Sequence, residues 1–176
     1  MGNTGKYLAI ISAFVVILTV LLSLAIPALF SWYDFTISGG GYSSGLYLTP
    51  FGTFIVNDYG SPDEIVGLVL IGGIMVLTGA GLCIAGVVKE MKVLGIIGGI
   101  LIILGPTMLL IDLRFQISEF AQGMHHLVET ESYNLTHALW GSFSPSPGVT
   151  VDFGITIGYF ITYIAGILGF SGGLTI

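Results

Sequence analysis

Four long apolar runs divide the chain, and they cover residues 7–30, 65–88, 93–112 and 154–175. Each is long enough to cross a hydrocarbon core of about 30 Å as an α-helix that rises about 1.5 Å per residue. We expect Pro27 to lie in the last turn of the first helix, where a kink is tolerated. The pattern therefore predicts four membrane-spanning helices, separated by two long loops at residues 31–64 and 113–153.

The first long loop has the pattern of a small β-rich cap. Between Ser31 and Glu64, aromatic and β-branched residues alternate with small polar ones, and the alternation breaks at glycine and proline. A period of two with such breaks is typical of strands and turns. A second alternating segment, Val149–Phe153, immediately precedes the last apolar run and predicts a further short strand.

The second long loop begins with a helix-prone segment, and the short turn joins two helices. Residues from Asp112 to Phe143 are mixed and helix-prone, so we expect the third helix to extend through about Glu131. The run SPSPG at residues 144–148 predicts a break in regular structure. The connection Lys89–Lys92 is so short that the second and third helices must form an antiparallel hairpin.

Small residues four positions apart recur within the apolar runs and predict close helix packing, because small side chains let helix backbones approach. The pairs are Gly81 with Ala85, Gly95 with Gly99, and Gly154 with Gly158.

Composition and charge support an integral membrane protein that forms one unit over residues 1–176. The chain is 54% hydrophobic and 8% charged, whereas soluble domains carry about 25% charged residues. A net charge of -6 with only four basic residues argues against nucleic acid as a partner, since nucleic-acid binding needs basic patches. The expected partners are membrane lipid and other membrane proteins, including further copies of this chain.

Basic residues predict the orientation. Lys6, Lys89 and Lys92 lie on the side that holds both termini and the short turn, and basic residues favour the cytoplasmic side. We therefore expect a multi-pass protein of the cell membrane with cytoplasmic termini and outer loops that face away from the cytoplasm. Asn134 then begins an outer N-glycosylation sequon, Asn-Leu-Thr.

The candidate chemistry is sparse. No charged residue lies deep in an apolar run, which disfavours pumps and proton relays. His125, His126 and Glu129 are spaced to share one face of a helix and form the one candidate metal cluster. A metal site needs three or four convergent ligands, and a solvated helix face is the simpler interpretation. We therefore expect no enzyme, no cofactor and no metal.

Aromatic residues crowd the outer segments. Trp32, Tyr33 and Trp140 suit a belt at the membrane interface, where amphipathic rings are favoured. Three phenylalanines lie near turns and are candidate contact tips, since exposed apolar tips often mark interaction surfaces: Phe51, Phe54 and Phe143.

This layout resembles the claudin and peripheral-myelin-protein superfamily, whose first outer loop carries a W…GLW signature followed by two cysteines. Trp32 matches the first position, and Gly45-Leu46-Tyr47 matches the triplet with tyrosine in place of tryptophan, while the cysteine pair is absent. The resemblance implies an all-α transmembrane four-helix bundle with a small extracellular antiparallel β-sheet cap. It also implies that Val149–Phe153 completes the sheet and that copies associate laterally.

The function expected is that of a non-enzymatic, claudin-like tetraspan protein that self-associates laterally or through its outer loops to organise the membrane or a surface assembly. Packing of Trp32, Leu46 and Tyr47 would hold the cap in place of a disulfide. Two alternatives remain open. The chain could be an accessory subunit of a larger membrane enzyme complex, or an oligomeric channel in which Asp58 and Asp63 select cations.

Overall fold

The computed structural model describes residues 3–56, 67–125 and 139–176. Within these ranges the helices are α1 (Asn3–Ala25), α2 (Pro27–Phe30), α3 (Gly67–Val88), α4 (Lys92–His125) and α5 (Ile157–Thr175). The strands are β1 (Tyr33–Gly39), β2 (Tyr42–Leu48), β3 (Phe54–Val56), β4 (Trp140–Ser146) and β5 (Val149–Ile155).

Four of these helices are long and apolar enough to cross a membrane: α1, α3, α5 and the part of α4 from Lys92 to Asp112. This agrees with the four spans predicted from the apolar runs. Helix α4 continues past Asp112 to His125, which carries it about 20 Å further. The extension predicted to about Glu131 is therefore present as far as His125, and its remainder lies outside the described residues.

Proline divides the first predicted helix. Proline lacks a backbone N–H, and its ring clashes with the carbonyl four residues earlier, so Pro27 cannot continue α1. The preceding residue, Ile26, leaves the helical conformation at φ -135° and ψ 67°. The single helix predicted for residues 7–30 is therefore corrected to α1 and the one-turn helix α2, which leads the chain into β1.

The four long helices pack as a ring, with α1 on α3, α3 on α4, α4 on α5 and α5 on α1. Glycines bring the backbones into direct contact. A Cβ at Gly79 of α3 would lie 2.6 Å from the carbonyl oxygen of Gly98 in α4, and a Cβ at Gly172 of α5 would lie 2.7 Å from the nitrogen of Ala9 in α1. Such close approach is how membrane helices gain dispersion energy.

The turn between α3 and α4 closes the end of the bundle that also holds both termini, here called the turn end. Met91 N–H donates to the Gly86 carbonyl at 2.9 Å, and Glu90 N–H donates to the Val87 carbonyl at 3.4 Å. This is the Schellman pattern, whose left-handed position usually holds glycine. Glu90 occupies it with φ 54° and forms an ion pair with Lys6 of α1.

A five-stranded antiparallel sheet lies at the opposite end of the bundle, here called the cap end. Its strand order is β3-β2-β1-β5-β4. The central strand β1 pairs along its whole length with β2 and with β5. Gly40 and Gly41, at φ 60° and 85°, form the two-residue turn between β1 and β2, a position that needs positive φ. The predicted strand at Val149–Phe153 is present as part of β5.

Strand β4 corrects the prediction for residues 113–153. The SPSPG run, predicted to break regular structure, instead contains the end of β4, which continues through Pro145 to Ser146 before the chain turns at Gly148 (φ 83°). Strand β4 lies at an edge of the sheet, where a proline leaves no interior ladder hydrogen bond unmade. A register irregularity between Phe143 and Ser146 accommodates it.

Cross-strand register gives the sheet an apolar face and a polar face. Residues paired in register point to the same face, and alternate residues along a strand point to opposite faces. The apolar face includes Tyr33, Phe35, Ile37, Leu46, Leu48, Phe54, Val151, Phe153 and Ile155. The polar face includes Asp34, Thr36, Ser38, Ser43, Tyr47, Trp140, Ser142, Thr150 and Asp152.

Candidate functional site

The segment between α2 and β1 joins the sheet to the helices. Trp32 N–H donates to the Leu48 carbonyl at 2.8 Å, and Thr156 N–H donates to the Trp32 carbonyl at 3.3 Å. The Thr156 hydroxyl donates to the Ser31 carbonyl instead of capping α5. The start of β1, the end of β2 and the start of α5 are thereby tied together. We call this region, with the loop Thr49–Thr53, the cap junction.

Trp32 is the largest fully buried side chain of the cap junction. Its exposed fraction is 0%, and it belongs to the same buried cluster as Val20 of α1, Val69 of α3 and Tyr159 of α5. Trp32 is therefore an interior residue and does not belong to the predicted interfacial belt. Within the described part of the chain, its Nε1 and the Ser31 Oγ have no hydrogen-bond partner.

The loop Thr49–Thr53 inserts between the sheet and α3. Thr49 N–H donates to the Thr53 carbonyl at 2.9 Å, and the hydroxyls of these two residues lie 2.8 Å apart. Pro50 is fully buried. A Cβ at Gly73 of α3 would lie 2.9 Å from the Pro50 carbonyl carbon and would overlap its oxygen. Gly73 thus lets the loop backbone rest directly on the α3 backbone.

Two of the predicted contact tips lie in this loop or directly after it. Phe51 and Phe54 are partly buried and pack against the buried cluster, so the structure contradicts their assignment as exposed tips. Phe54 pairs with Leu48 of β2, which places it on the apolar face of the sheet. Phe143 lies in β4, and its side chain is outside the described part of the structure.

The Gly45-Leu46-Tyr47 triplet lies in β2. A Cβ at Gly45 would lie 2.5 Å from the Tyr47 ring, so glycine leaves room for the ring to fold over the polar face. Tyr47 is 7% exposed, and Leu46 lies on the opposite, apolar face. The β2 carbonyl that accepts the Trp32 N–H belongs to Leu48, the residue after the triplet.

Two carboxylates lie on the polar face of the sheet. Burial raises the pKa of Asp34, and the charge of Asp152 raises it further, although backbone hydrogen bonds from Asp34 and Gly154 act in the opposite direction. Burial, with the Asp34 charge, also raises the pKa of the Tyr33 hydroxyl. Asp34 is therefore a partly desolvated carboxylate, and its charged form is disfavoured by the fold.

Three of the predicted helix-packing residues meet a neighbouring element. A Cβ at Gly95 would lie 2.8 Å from the Gly173 Cα, one at Gly99 would overlap the Phe170 backbone in α5, and one at Gly158 would overlap the Phe30 carbonyl of α2. These contacts place close backbone packing at Gly95, Gly99 and Gly158.

The other members of those pairs are placed differently. Gly81 is exposed, and a Cβ there would have no described atom within 4 Å, so within the described part of this chain it does not pack against another helix. Its partner Ala85 is half-buried. Gly154 lies in β5 rather than in the last helix, opposite Trp140 of β4. The last helix therefore begins at Ile157, not at residue 154.

The candidate metal cluster, which we expected to hold no metal, and the predicted glycosylation site fall largely outside the described residues. Among the described residues there is no group of three His, Cys, Asp or Glu side chains suited to a metal ion. His125 ends α4, whereas His126, Glu129 and Asn134 lie outside the described residues, as do Asp58 and Asp63.

The overall arrangement is consistent with a multi-pass membrane protein that carries a small antiparallel sheet at one end of its helices. Comparison with protein-family models finds no match, and a search of curated proteins finds no significant relative.

Proposed function

We propose that this chain is a non-enzymatic, claudin-like tetraspan membrane protein, with both termini on the cytoplasmic side, that self-associates to organise the membrane or a surface assembly. The observation that carries the proposal is the cap junction. Hydrogen bonds from Trp32 and Thr156 and the backbone contact at Gly73 fix the sheet to the helices. A cap held in this way presents the same surface on every copy, as a repeating assembly requires.

The exposed residues of the sheet support contact with other molecules. Ile37 on the apolar face is 46% exposed, and Tyr42 at the first hairpin is 86% exposed. Apolar residues exposed on one surface often mark an interaction site.

The test is to measure the oligomeric state of the full chain in lipid nanodiscs and in reconstituted vesicles over a range of protein densities. Self-association predicts dimers or larger assemblies that grow with density, and imaging of the vesicles should show neighbouring copies in contact. A strict monomer at every density would refute the proposal. Conductance across the same bilayers would favour the channel, and co-purification with a metal-binding subunit would favour the accessory role.

A further inference from the structure

The outward face of α3 carries a row of exposed residues that runs the length of the helix. The opposite face, which includes Val76 and Cys83, is buried in the bundle. The exposed residues follow one another in steps of four and three, with the half-buried Ala85 continuing the pattern near the end: Gly67, Ile71, Ile74, Thr78, Gly81 and Val88. A repeat of seven residues keeps one stripe of a helix against a partner helix along its length.

Thr78 is the polar member of this row, and it lies halfway along α3, a helix of 22 residues. It is about 16 Å from Gly67, so hydrocarbon and not headgroups surrounds it at this depth. Four other helix threonines each donate their hydroxyl to the carbonyl four residues earlier: Thr19, Thr107, Thr162 and Thr175. Among the described residues, the Thr78 hydroxyl makes no hydrogen bond, either to the Ile74 carbonyl or elsewhere.

The depth of this hydroxyl determines what can satisfy it. Lipid tails offer no acceptor, and an unpaired hydroxyl in hydrocarbon is unfavourable. Two copies of the chain in one membrane have the same orientation, so α3 of each runs in the same direction and Thr78 lies at the same depth in both. A hydroxyl both donates and accepts, so two Thr78 residues related by a two-fold axis satisfy one another.

Gly81, one turn from Thr78, allows a second helix to approach. Three other glycines of α3 meet the α4 backbone of their own chain: Gly72, Gly79 and Gly86. A Cβ at Gly81, in contrast, would have no described atom within 4 Å. The spacing of Gly81 and Ala85, which the described part of the chain leaves unused for packing against another helix, is of the kind that brings membrane helices together.

We propose that the outward face of α3 pairs with the same face of a second copy, with Thr78 and Gly81 at the centre of the contact. The two Thr78 hydroxyls share a hydrogen bond, and the two Gly81 residues let the helix backbones approach closely enough for it to form. This inference rests on the proposed self-association and identifies its lateral interface.

The experiment measures energy transfer between copies of the full chain, labelled at the N-terminus with a donor or an acceptor fluorophore, in phosphatidylcholine vesicles over a range of protein densities. Thr78→Val keeps the shape of the side chain but removes the hydroxyl, and should weaken dimerisation by about threefold, the usual effect of one hydrogen bond between membrane helices. Thr78→Ser keeps the hydroxyl and should dimerise as the natural chain does.

A bulk variant tests the close approach. Gly81→Leu should weaken dimerisation by at least about fivefold, because the added side chain separates the helices, and its Tm in detergent should not fall, since the chain leaves room there. Ala25→Leu adds bulk to an exposed position of α1 and should leave dimerisation unchanged.

The outcomes separate this interface from self-association itself. If the natural chain associates and Thr78→Val and Gly81→Leu associate equally well, the α3 interface is overturned while self-association stands. Equal weakening by Thr78→Val and Thr78→Ser would also overturn it, because the hydroxyl would not be the determinant. A natural chain that is monomeric at every density would refute both proposals.

Discussion

Replacing Gly73 by alanine tests whether the loop Thr49–Thr53 fixes the sheet to the helices. The new Cβ would lie 2.9 Å from the Pro50 carbonyl carbon and overlap its oxygen. Both neighbours are backbone atoms, so no side chain can rotate away. Either α3 or the loop must move, and because the loop connects β2 to β3, its displacement should loosen the cap.

The magnitude follows from two opposing effects. Inserting a carbon into a closely packed interface lowers the free energy of unfolding by about 1–3 kcal/mol. Replacing glycine by alanine in a helix interior raises it by about 1 kcal/mol. Because the contact is between backbones, the cost should lie in the upper part of that range. We expect a net loss of about 1–2 kcal/mol, which lowers the Tm by about 2–8 °C for a chain of this size.

The matched control is Gly81→Ala in the same helix. Gly81 is exposed, and no described atom lies within 4 Å of its added Cβ, so only the gain in helix propensity remains and stability should be unchanged or higher. Both variants are compared by thermal unfolding in one detergent and by limited proteolysis within residues 38–56. If Gly73→Ala matches Gly81→Ala in Tm and in protease resistance, the loop does not hold the cap.

Three further predictions concern single side chains. Trp32→Ala should lower the free energy of unfolding by about 3–5 kcal/mol and expose the cap to protease while the helices stay inserted. Trp32→Phe should lower it less, because phenylalanine keeps a ring and removes an N–H that has no described acceptor. Because the fold raises the pKa of Asp34, the ionised carboxylate destabilises the folded state, and this loss of stability develops as the pH rises through that pKa. Asp34→Asn, which cannot ionise, should therefore leave the Tm unchanged at about pH 3 and raise it at about pH 7. Glu90→Gly should raise the Tm in the same thermal scan, because glycine adopts positive φ without strain and the exposed ion pair with Lys6 contributes little.

The membrane spans and the strands of the first loop could be predicted because their signals are local. Apolar length alone marks a span, and alternation with glycine turns marks strands β1 and β2. Strand β4 has no such local signal: its serines and prolines are typical of a loop, and it is a strand because β5 pairs with it. A strand that is stabilised chiefly by pairing with its neighbour cannot be predicted from its own local sequence.

The inward position of the loop Thr49–Thr53 was missed for a similar reason. Phe51 lies between Pro50 and Gly52, and Phe54 follows two residues later, a turn sequence that usually places aromatic residues at an exposed tip. The loop rests on Gly73, which lies in a different apolar run and meets Pro50 only in the folded chain. The pair Gly72-Gly73 was visible in the sequence, but nothing local distinguishes a glycine under a loop from one that faces lipid.

Glycine placement connects the packing of this chain to its proposed function. Gly79 and Gly98 bring α3 to α4, Gly95 and Gly99 bring α4 to α5, and Gly73 brings the cap to α3. Each contact joins backbone to backbone, so no flexible side chain lies between the elements to absorb a displacement. A force on the sheet from a neighbouring molecule is therefore transmitted to the helices, and an assembly built through the cap would also fix how neighbouring bundles are oriented in the membrane.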